Sequence, residues 1–229
     1  MTGLRIAAAV PAYQAASYIE DVVRRTQILL PDVLVVDDGS TDGTAECARS
    51  AGAEVFSHER NFGKGYALQT AFDALMKRDF DAVLTLDADG QHLPEEIPNL
   101  IETAELHDAD LVLGTRDHLF EAMGKIRRTS NQVSSRLISV AAGQRFSDIQ
   151  TGFRFYHRRL IEQVRLREHG FDAESAVLVR AVRRGMRVAT VPVAMDTVDG
   201  RKTSHYRPIV DSIKIAKAVI TARFVDSHE

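Results

Sequence analysis

Residues Val33–Thr44 read VLVVDDGSTDGT. Four apolar residues suited to a buried strand stop at two aspartates and a run of turn formers. A helical stretch follows to Ala51, with Gly52 placed as a terminating glycine. The same strand–turn–helix unit recurs on both sides. Ile6–Val10, IAAAV, is a buried strand, and Ser17 with Glu20 forms an S-x-x-E capping box. Ile19, Val22, Val23 and Leu30 then recur at helical spacing. Downstream, the pattern predicts strands at Glu54–Ser57, Ala82–Leu86 and Leu111–Leu113, and helices near Tyr66–Arg78 and Pro94–Leu106. Repeated units of this kind imply an α/β chain whose central sheet is mostly parallel, Rossmann-like, with helices on both faces. Ligands of such sheets bind beyond the carboxyl ends of the strands. The polar clusters fall there: Asp37-Asp38, Asp87-Ala88-Asp89 and Gly114-Thr115-Arg116.

The second half is less regular. Helices are expected near Val133–Ala142, Ala173–Arg184 and Pro208–Val225, and strands at Phe153–Tyr156 and Val188–Val193. The chain has 229 residues, 45% hydrophobic and 27% charged, which is globular usage and excludes a disordered tail or a coiled coil. No repeat or linker divides it, so residues 1–229 are expected to form one domain. A single cysteine, Cys47, excludes an internal disulfide and fits a reducing compartment. The first residues lack the long apolar stretch of a secretory signal, and no run reaches the roughly 18 apolar residues of a membrane span. The expected location is cytoplasmic. The net charge of −3 hides an asymmetry: residues 1–115 carry 8 basic and 20 acidic side chains, and residues 116–229 carry 21 and 12. An acidic half suits a metal site and a basic half an anionic partner. Two solvated faces of biased composition are the plainer alternative.

Leu84–His92, LTLDADGQH, is the sharpest chemical feature. An apolar strand delivers Asp87 and Asp89 in a turn permitted by Gly90, and Gln91 adds an amide oxygen. Hard divalent cations take oxygen ligands, and Mg²⁺ typically combines one or two carboxylates with substrate phosphates. The alternative is a pair of turn-forming aspartates ahead of the next helix. Asp38 beyond the second strand is placed to accept hydrogen bonds from a ribose or base, while Ser40, Thr41 and Asp42 alternatively cap the next helix. Arg60–Leu68, RNFGKGYAL, has Gly63-x-Gly65 but Leu68 where a dinucleotide fingerprint needs its third glycine. Lys64 in that loop is a candidate phosphate ligand. Arg116, Arg127, Arg128, Arg201, Lys202, Ser204, His205 and Arg207 form a basic set suited to phosphates. Asp172 and Glu174 sit at a helix start, where they favour the helix dipole, serve as a general base or order Arg residues in the site. The last segment carries Ile209, Ile213, Ala216, Ile220 and Phe224 on one face, with Arg207, Lys214, Lys217 and Arg223 beside it. That face either packs on protein or lies on an anionic membrane.

Together these segments resemble family 2 glycosyltransferases of the GT-A fold, most of all the polyprenyl-phosphate sugar synthases. The resemblance covers nearly the whole chain, in order: VPAYQAASYI, VVDDGSTDGT, NFGKGYAL, LDADGQH, GTR, RRTSN and IQTGFRFY. It implies nucleoside contacts from Pro11, Tyr13 and Asp38, in a nucleotide site that also takes in Ala12, Gly63, Lys64, Asp87 and Ala88. It implies Mg²⁺ or Mn²⁺ on Asp87, Asp89 and Gln91. Arg116 and Arg128 would meet an acceptor phosphate, and Arg201, Ser204 and His205 the donor phosphates. Residues 1–115 would form the nucleotide and metal half, and 116–229 the acceptor half.

The implied reaction moves a hexose from a nucleotide-diphosphate sugar, of GDP-mannose or UDP-glucose type, to a polyprenyl phosphate with inversion. The metal and basic side chains would neutralise the departing diphosphate. A lipid phosphate is already an anion and needs positioning rather than deprotonation. A saccharide hydroxyl as acceptor would instead make Asp172 or Glu174 the base. A non-catalytic nucleotide-sugar-binding module is the competing class, and the presence of Asp89 argues against it. Nucleic acid is not an expected partner, a peripheral place on the cytoplasmic membrane face stays open beside the cytoplasmic one, and no motif defines an oligomer.

Overall fold

The computed structural model describes residues 3–115, 139, 140, 143, 146, 149, 151–170, 172–196, 217–219, 221 and 222. The strands are β1 (Ile6–Ala12), β2 (Val33–Asp37), β3 (Glu54–Ser57), β4 (Ala82–Thr85), β5 (Leu111–Thr115), β6 (Arg154–His157) and β7 (Val188–Pro192). The helices are α1 (Ile19–Leu29), α2 (Thr44–Ser50), α3 (Lys64–Leu75), α4 (Ile97–Leu106, preceded by a 3₁₀ turn at Pro94–Glu96), α5 (Arg158–Gln163) and α6 (Asp172–Arg183). The seven strands form one sheet in the order β3-β2-β1-β4-β6-β5-β7. β1 pairs in parallel with β2 and β4, β2 with β3, and β5 with β7. β6 runs antiparallel between β4 and β5. The α/β fold with a mostly parallel sheet is therefore as expected, with one inserted reversed strand.

Alternate residues of the central strands face opposite layers, as the two-residue period of a strand requires. Ala7, Ala9, Leu34, Val36 and Val83 join Leu68, Phe72 and Leu75 of α3 and the inner face of α6 in one core. Ile6, Ala8, Val10, Val33, Val35 and Leu84 join Ile19, Val22 and Val23 of α1 and Ile97 and Leu100 of α4 in the other. Residues apolar on both sides of a strand are the signature of a covered parallel sheet. Burying each large apolar side chain contributes roughly 1.5–3 kcal/mol.

The sequence boundaries shift by a few residues. β2 runs on to Asp37, β5 runs on to Thr115, and α3 starts at Lys64 rather than Tyr66. The short helix α5 is absent from the sequence reading. The Ser17–Glu20 capping box does not form: Tyr18 is the N-cap of α1, with no side-chain cap bond. The reason lies in the preceding loop. Ala15 O accepts from the N–H groups of Tyr18 and Ile19, and Ala15 N donates to Thr44 Oγ1 on α2. The helices expected at Val133–Ala142 and Pro208–Val225 lie for the most part outside the described residues, and the amphipathic face of the latter with them.

Candidate active site

The carboxyl ends of β1, β2 and β4 converge on one edge, and the sequence places its polar turns there. Beyond β1, Tyr13 is partly exposed and Ala12 is buried. Gln14 follows at φ 53°, a left-handed conformation rare outside glycine. Its backbone N–H donates to Ser40 Oγ and its side-chain amide to Thr41 Oγ1. Asp42 accepts from the N–H groups of Ala16 and Thr44. Ser40, Thr41 and Asp42 therefore lash the β1–α1 loop to the β2–α2 turn. Gly43 is the N-cap of α2, with no side-chain bond of its own, and Asp42 before it accepts from the first N–H of the helix.

Asp38 is 3% exposed. Its Oδ1 lies 2.7 Å from His58 Nδ1 and accepts from Phe62 N at 3.0 Å, and its Oδ2 accepts from Gly63 N at 2.7 Å. His58 is tied at its other nitrogen to Thr70 Oγ1 and sits among Phe56, Phe62 and Tyr66. Asp38 thus joins the end of β2 to the glycine loop. His58→Ala would leave a buried carboxylate oxygen short of a partner, with an expected loss of about 1–3 kcal/mol, read as a lower midpoint in urea at unchanged slope.

The glycine loop has a packing cause. Gly63 has φ +101°, and a Cβ there would strike the carbonyl of His169. A Cβ on Gly65 would strike the carbonyl of Glu168, and Gly65 N donates to His169 O. Residues 165–170 cross the start of α3 as a strap. Gln69 Oε1 accepts from Leu166 N, and the buried Arg180 holds Glu168 in a two-pronged ion pair at 2.6 and 2.8 Å.

This packing fixes Lys64, the first residue of α3. Its Nζ lies 2.6 Å from Asp87 Oδ1 and 3.1 Å from Glu174 Oε2. Burial disfavours the ammonium, but the charges of Asp87 and Glu174 outweigh it and raise the Lys64 pKa. Asp87 follows β4, and its N–H donates to His92 Nδ1, whose ring stacks on Phe153. That bond leaves the neutral ring's proton on Nε2. Asp89 Oδ1 accepts from Gln91 N. Burial and then the charge of Asp87 push the Asp89 carboxyl up to about 6. Gly152 lies against this cluster so closely that a Cβ would overlap the Asp87 carboxylate.

Asp87, paired with Lys64, and Asp89, whose ionised form burial and the charge of Asp87 penalise, form with the amide side chain of Gln91 an oxygen-only donor set that suits Mg²⁺ or Mn²⁺. Among the described residues no group of three or more His, Cys, Asp or Glu forms a cage for a metal.

Of the acidic residues at the start of α6, Asp172 accepts from Gly170 N and Glu174 is the second counter-ion of Lys64. Glu174 Oε1 is buried with no hydrogen-bond partner among the described residues, and Tyr156 Oη is buried too. Burial pushes the Tyr156 hydroxyl up to about 12. Beneath them the guanidinium of Arg154, fully buried, donates to the carbonyls of Ile149, Thr151 and Glu174, each at 2.7 Å. The structure thus gathers Asp38, Gly63, Lys64, Asp87, Ala88, Asp89, Gln91 and Glu174 near one edge. Arg116, Arg128, Arg201, Ser204 and His205 lie outside the described residues. His58, His92, Arg154 and Tyr156 were not singled out in the sequence. The HER tripeptide before the glycine loop and the histidine closing LDADGQH were the available signals.

Comparison with known proteins gives the class. The profile described as Glycosyl transferase family 2 matches residues 8–165. The chain belongs to glycosyl transferase family 2. It is 32% identical over 204 residues to glycosyltransferase AglJ of Haloferax volcanii, covering 88% of this chain and 66% of that one. The chain thus spans just under two thirds of that relative's length. It is 30% identical over 206 residues to the undecaprenyl-phosphate mannosyltransferase of Micrococcus luteus, covering 83% of each. It is 29% identical over 205 residues to the polyprenol monophosphomannose synthase of Mycolicibacterium smegmatis, covering 80% and 74%. Among solved structures, glucosyl-3-phosphoglycerate synthase from Mycobacterium tuberculosis with phosphoglyceric acid superposes with a TM-score of 0.77 at 22% identity, over 96% of this chain and 80% of that one. The same enzyme with Mn²⁺, UDP and phosphoglyceric acid gives 0.74 at 21% identity, over 96% and 77%. These structures place the chain in the GT-A fold.

Proposed function

We propose that this glycosyltransferase is metal-dependent and inverting, and that it moves a hexose from a nucleotide-diphosphate sugar to a polyprenyl phosphate. The observation that carries the reading is the strand-end pair Asp87 and Asp89 with Lys64 beside it, at the edge where such sheets bind nucleotides. Asp87, Asp89 and Gln91 would hold Mg²⁺ or Mn²⁺, which supplies Lewis-acid charge to a departing diphosphate. The M. tuberculosis structure with Mn²⁺ and UDP supports that class of ligand. Pro11, Ala12, Tyr13, Asp38, Gly63, Lys64, Asp87 and Ala88 form the proposed nucleotide site. Asp38 serves it by fixing the glycine loop. Arg201, Ser204 and His205 are assigned to donor phosphates, and Arg116 and Arg128 to the acceptor phosphate.

The names of the Micrococcus and Mycolicibacterium relatives support a polyprenyl phosphate acceptor. The engaged carboxylates agree with it. Glu174 is paired with Lys64, and Asp172 accepts from the backbone, as an acceptor that needs no deprotonation permits. Such a substrate places the protein peripherally on the cytoplasmic membrane face. Among the described residues no helix is long and apolar enough to cross a membrane.

Thermal melts of the purified chain with UDP, GDP or CDP, each with and without Mn²⁺, test the donor side. One diphosphate at about 100 times its Kd is expected to add about 2.7 kcal/mol, and to do so only with Mn²⁺. Stabilisation by none of the three, with or without metal, contradicts the reading.

A further inference from the structure

Lys64 stands where the proposed metal ligands begin. It holds the inner oxygen of Asp87 at 2.6 Å, and it also reaches Glu174, 110 residues away, at 3.1 Å. Its backbone is not free to withdraw: Gly63 and Gly65 on either side are locked against the strap. A divalent cation arriving at Asp87 and Asp89 therefore meets an ammonium already bonded to one of its ligands. The two cations repel at short range in a partly buried site, where charge interactions are stronger than in water. The lysine has somewhere to go. Glu174 Oε1 is buried and has no hydrogen-bond partner among the described residues, so it has spare accepting capacity beside the Oε2 that Lys64 already uses.

We infer that Lys64 is a resident cation that competes with the divalent metal for Asp87, so that metal alone binds weakly and binds tightly only together with a nucleoside diphosphate. The diphosphate brings negative charge that takes up the ammonium displaced from Asp87, while Glu174 keeps the lysine in the site. Metal and nucleotide then assist each other by the same factor, as linkage requires. The inference deepens the transferase reading and rests on it for the identity of the second ligand. It adds a role for Lys64 and Glu174 that binding of phosphate by a lysine does not entail.

The test is Mn²⁺ binding to the full chain, followed by the electron paramagnetic resonance signal of the free ion, with and without UDP or GDP. Wild type, Lys64→Met, Glu174→Gln and the double variant are compared. Lys64→Met is expected to bind Mn²⁺ alone at least tenfold more tightly than wild type, about 1.4 kcal/mol, and to lose most of the gain that the diphosphate gives. Glu174→Gln is expected to bind Mn²⁺ alone more weakly, because the lysine is left to Asp87. These opposite signs distinguish competition from simple structural damage, which weakens binding in both. Where Lys64→Met alone fails to fold because Glu174 is left as an uncompensated buried charge, the double variant is compared with Glu174→Gln, and the same gain is expected. A diphosphate-dependent gain in wild type, with no tighter binding of Mn²⁺ alone once Lys64 is removed, overturns the lysine inference and leaves the transferase reading standing. No gain from either diphosphate in wild type counts against both.

Discussion

Asp89→Ala is expected to reduce the transfer rate by at least about a thousandfold, some 4 kcal/mol of transition-state stabilisation, while leaving the fold intact. Asp89 is a poor contributor to stability in the metal-free protein. Its carboxyl is raised to about 6 by burial and by Asp87, so the ionised form is disfavoured in the folded chain. The sign follows from linkage. A carboxyl whose folded pKa exceeds its unfolded value costs stability at pH above the folded value, and that cost vanishes as the pH falls below the unfolded one. Asp89→Asn in EDTA is thus expected to melt higher than wild type at pH 7–8, and equally near pH 3. Mn²⁺ should reverse the order at pH 7–8, because only the carboxylate binds it. Steady-state transfer kinetics and melts with and without Mn²⁺ read both effects. Full activity in Asp89→Ala would remove the metal assignment.

Arg154→Met is expected to be the most damaging single change to stability. The guanidinium is fully buried and donates to three carbonyls, each at 2.7 Å. Methionine fills much of its volume but satisfies none of them. Unpaired buried groups cost about 1–3 kcal/mol each, so a total of at least about 3 kcal/mol is expected. For a chain of this size that is a fall in Tm of roughly 10 °C. Two of the freed carbonyls, of Ile149 and Thr151, belong to residues just before Gly152, which lies against Asp87, and the third belongs to Glu174. Any variant that still folds should therefore also bind Mn²⁺ with altered affinity. A Tm within 2 °C of wild type would show that these carbonyls find other partners.

The parallel frame is legible because β1, β2, β4 and β5 are short apolar runs that end in polar segments, and the helices between them carry apolar residues at their own period. The pair Asp87 and Asp89 was legible for the same reason, since a strand end and a glycine turn are local. The misses share one cause, which is contact between distant segments. Ser17 and Glu20 satisfy a local capping rule, but Ala15 is claimed by Thr44 of α2, and the loop enters α1 by another route. Gly63-x-Gly65 was weighed as part of a cofactor fingerprint, whereas its glycines make room for residues 168 and 169. The helix start of α6 reads as a place for Glu174 to favour the dipole, act as a base or order Arg residues. Its partner, Lys64, lies 110 positions earlier, a pairing with no period or motif to announce it. The turn after β2 marks Asp38 as a ligand-facing carboxylate, and the structure adds that it gathers His58 and the amides of Phe62 and Gly63. Burial of that kind shows only when the β2 turn and the glycine loop are seen together.

The most direct test of the central claim is transfer of labelled hexose by the purified chain to undecaprenyl phosphate in detergent. The donor is the nucleotide sugar whose diphosphate stabilises the protein, assayed with Mn²⁺ and with EDTA. The account predicts a labelled lipid-phosphate sugar that forms with Mn²⁺ and disappears with EDTA. Formation of the same product at an undiminished rate in EDTA would contradict the metal site, and sugar transfer to a saccharide with none to the lipid phosphate would contradict the acceptor.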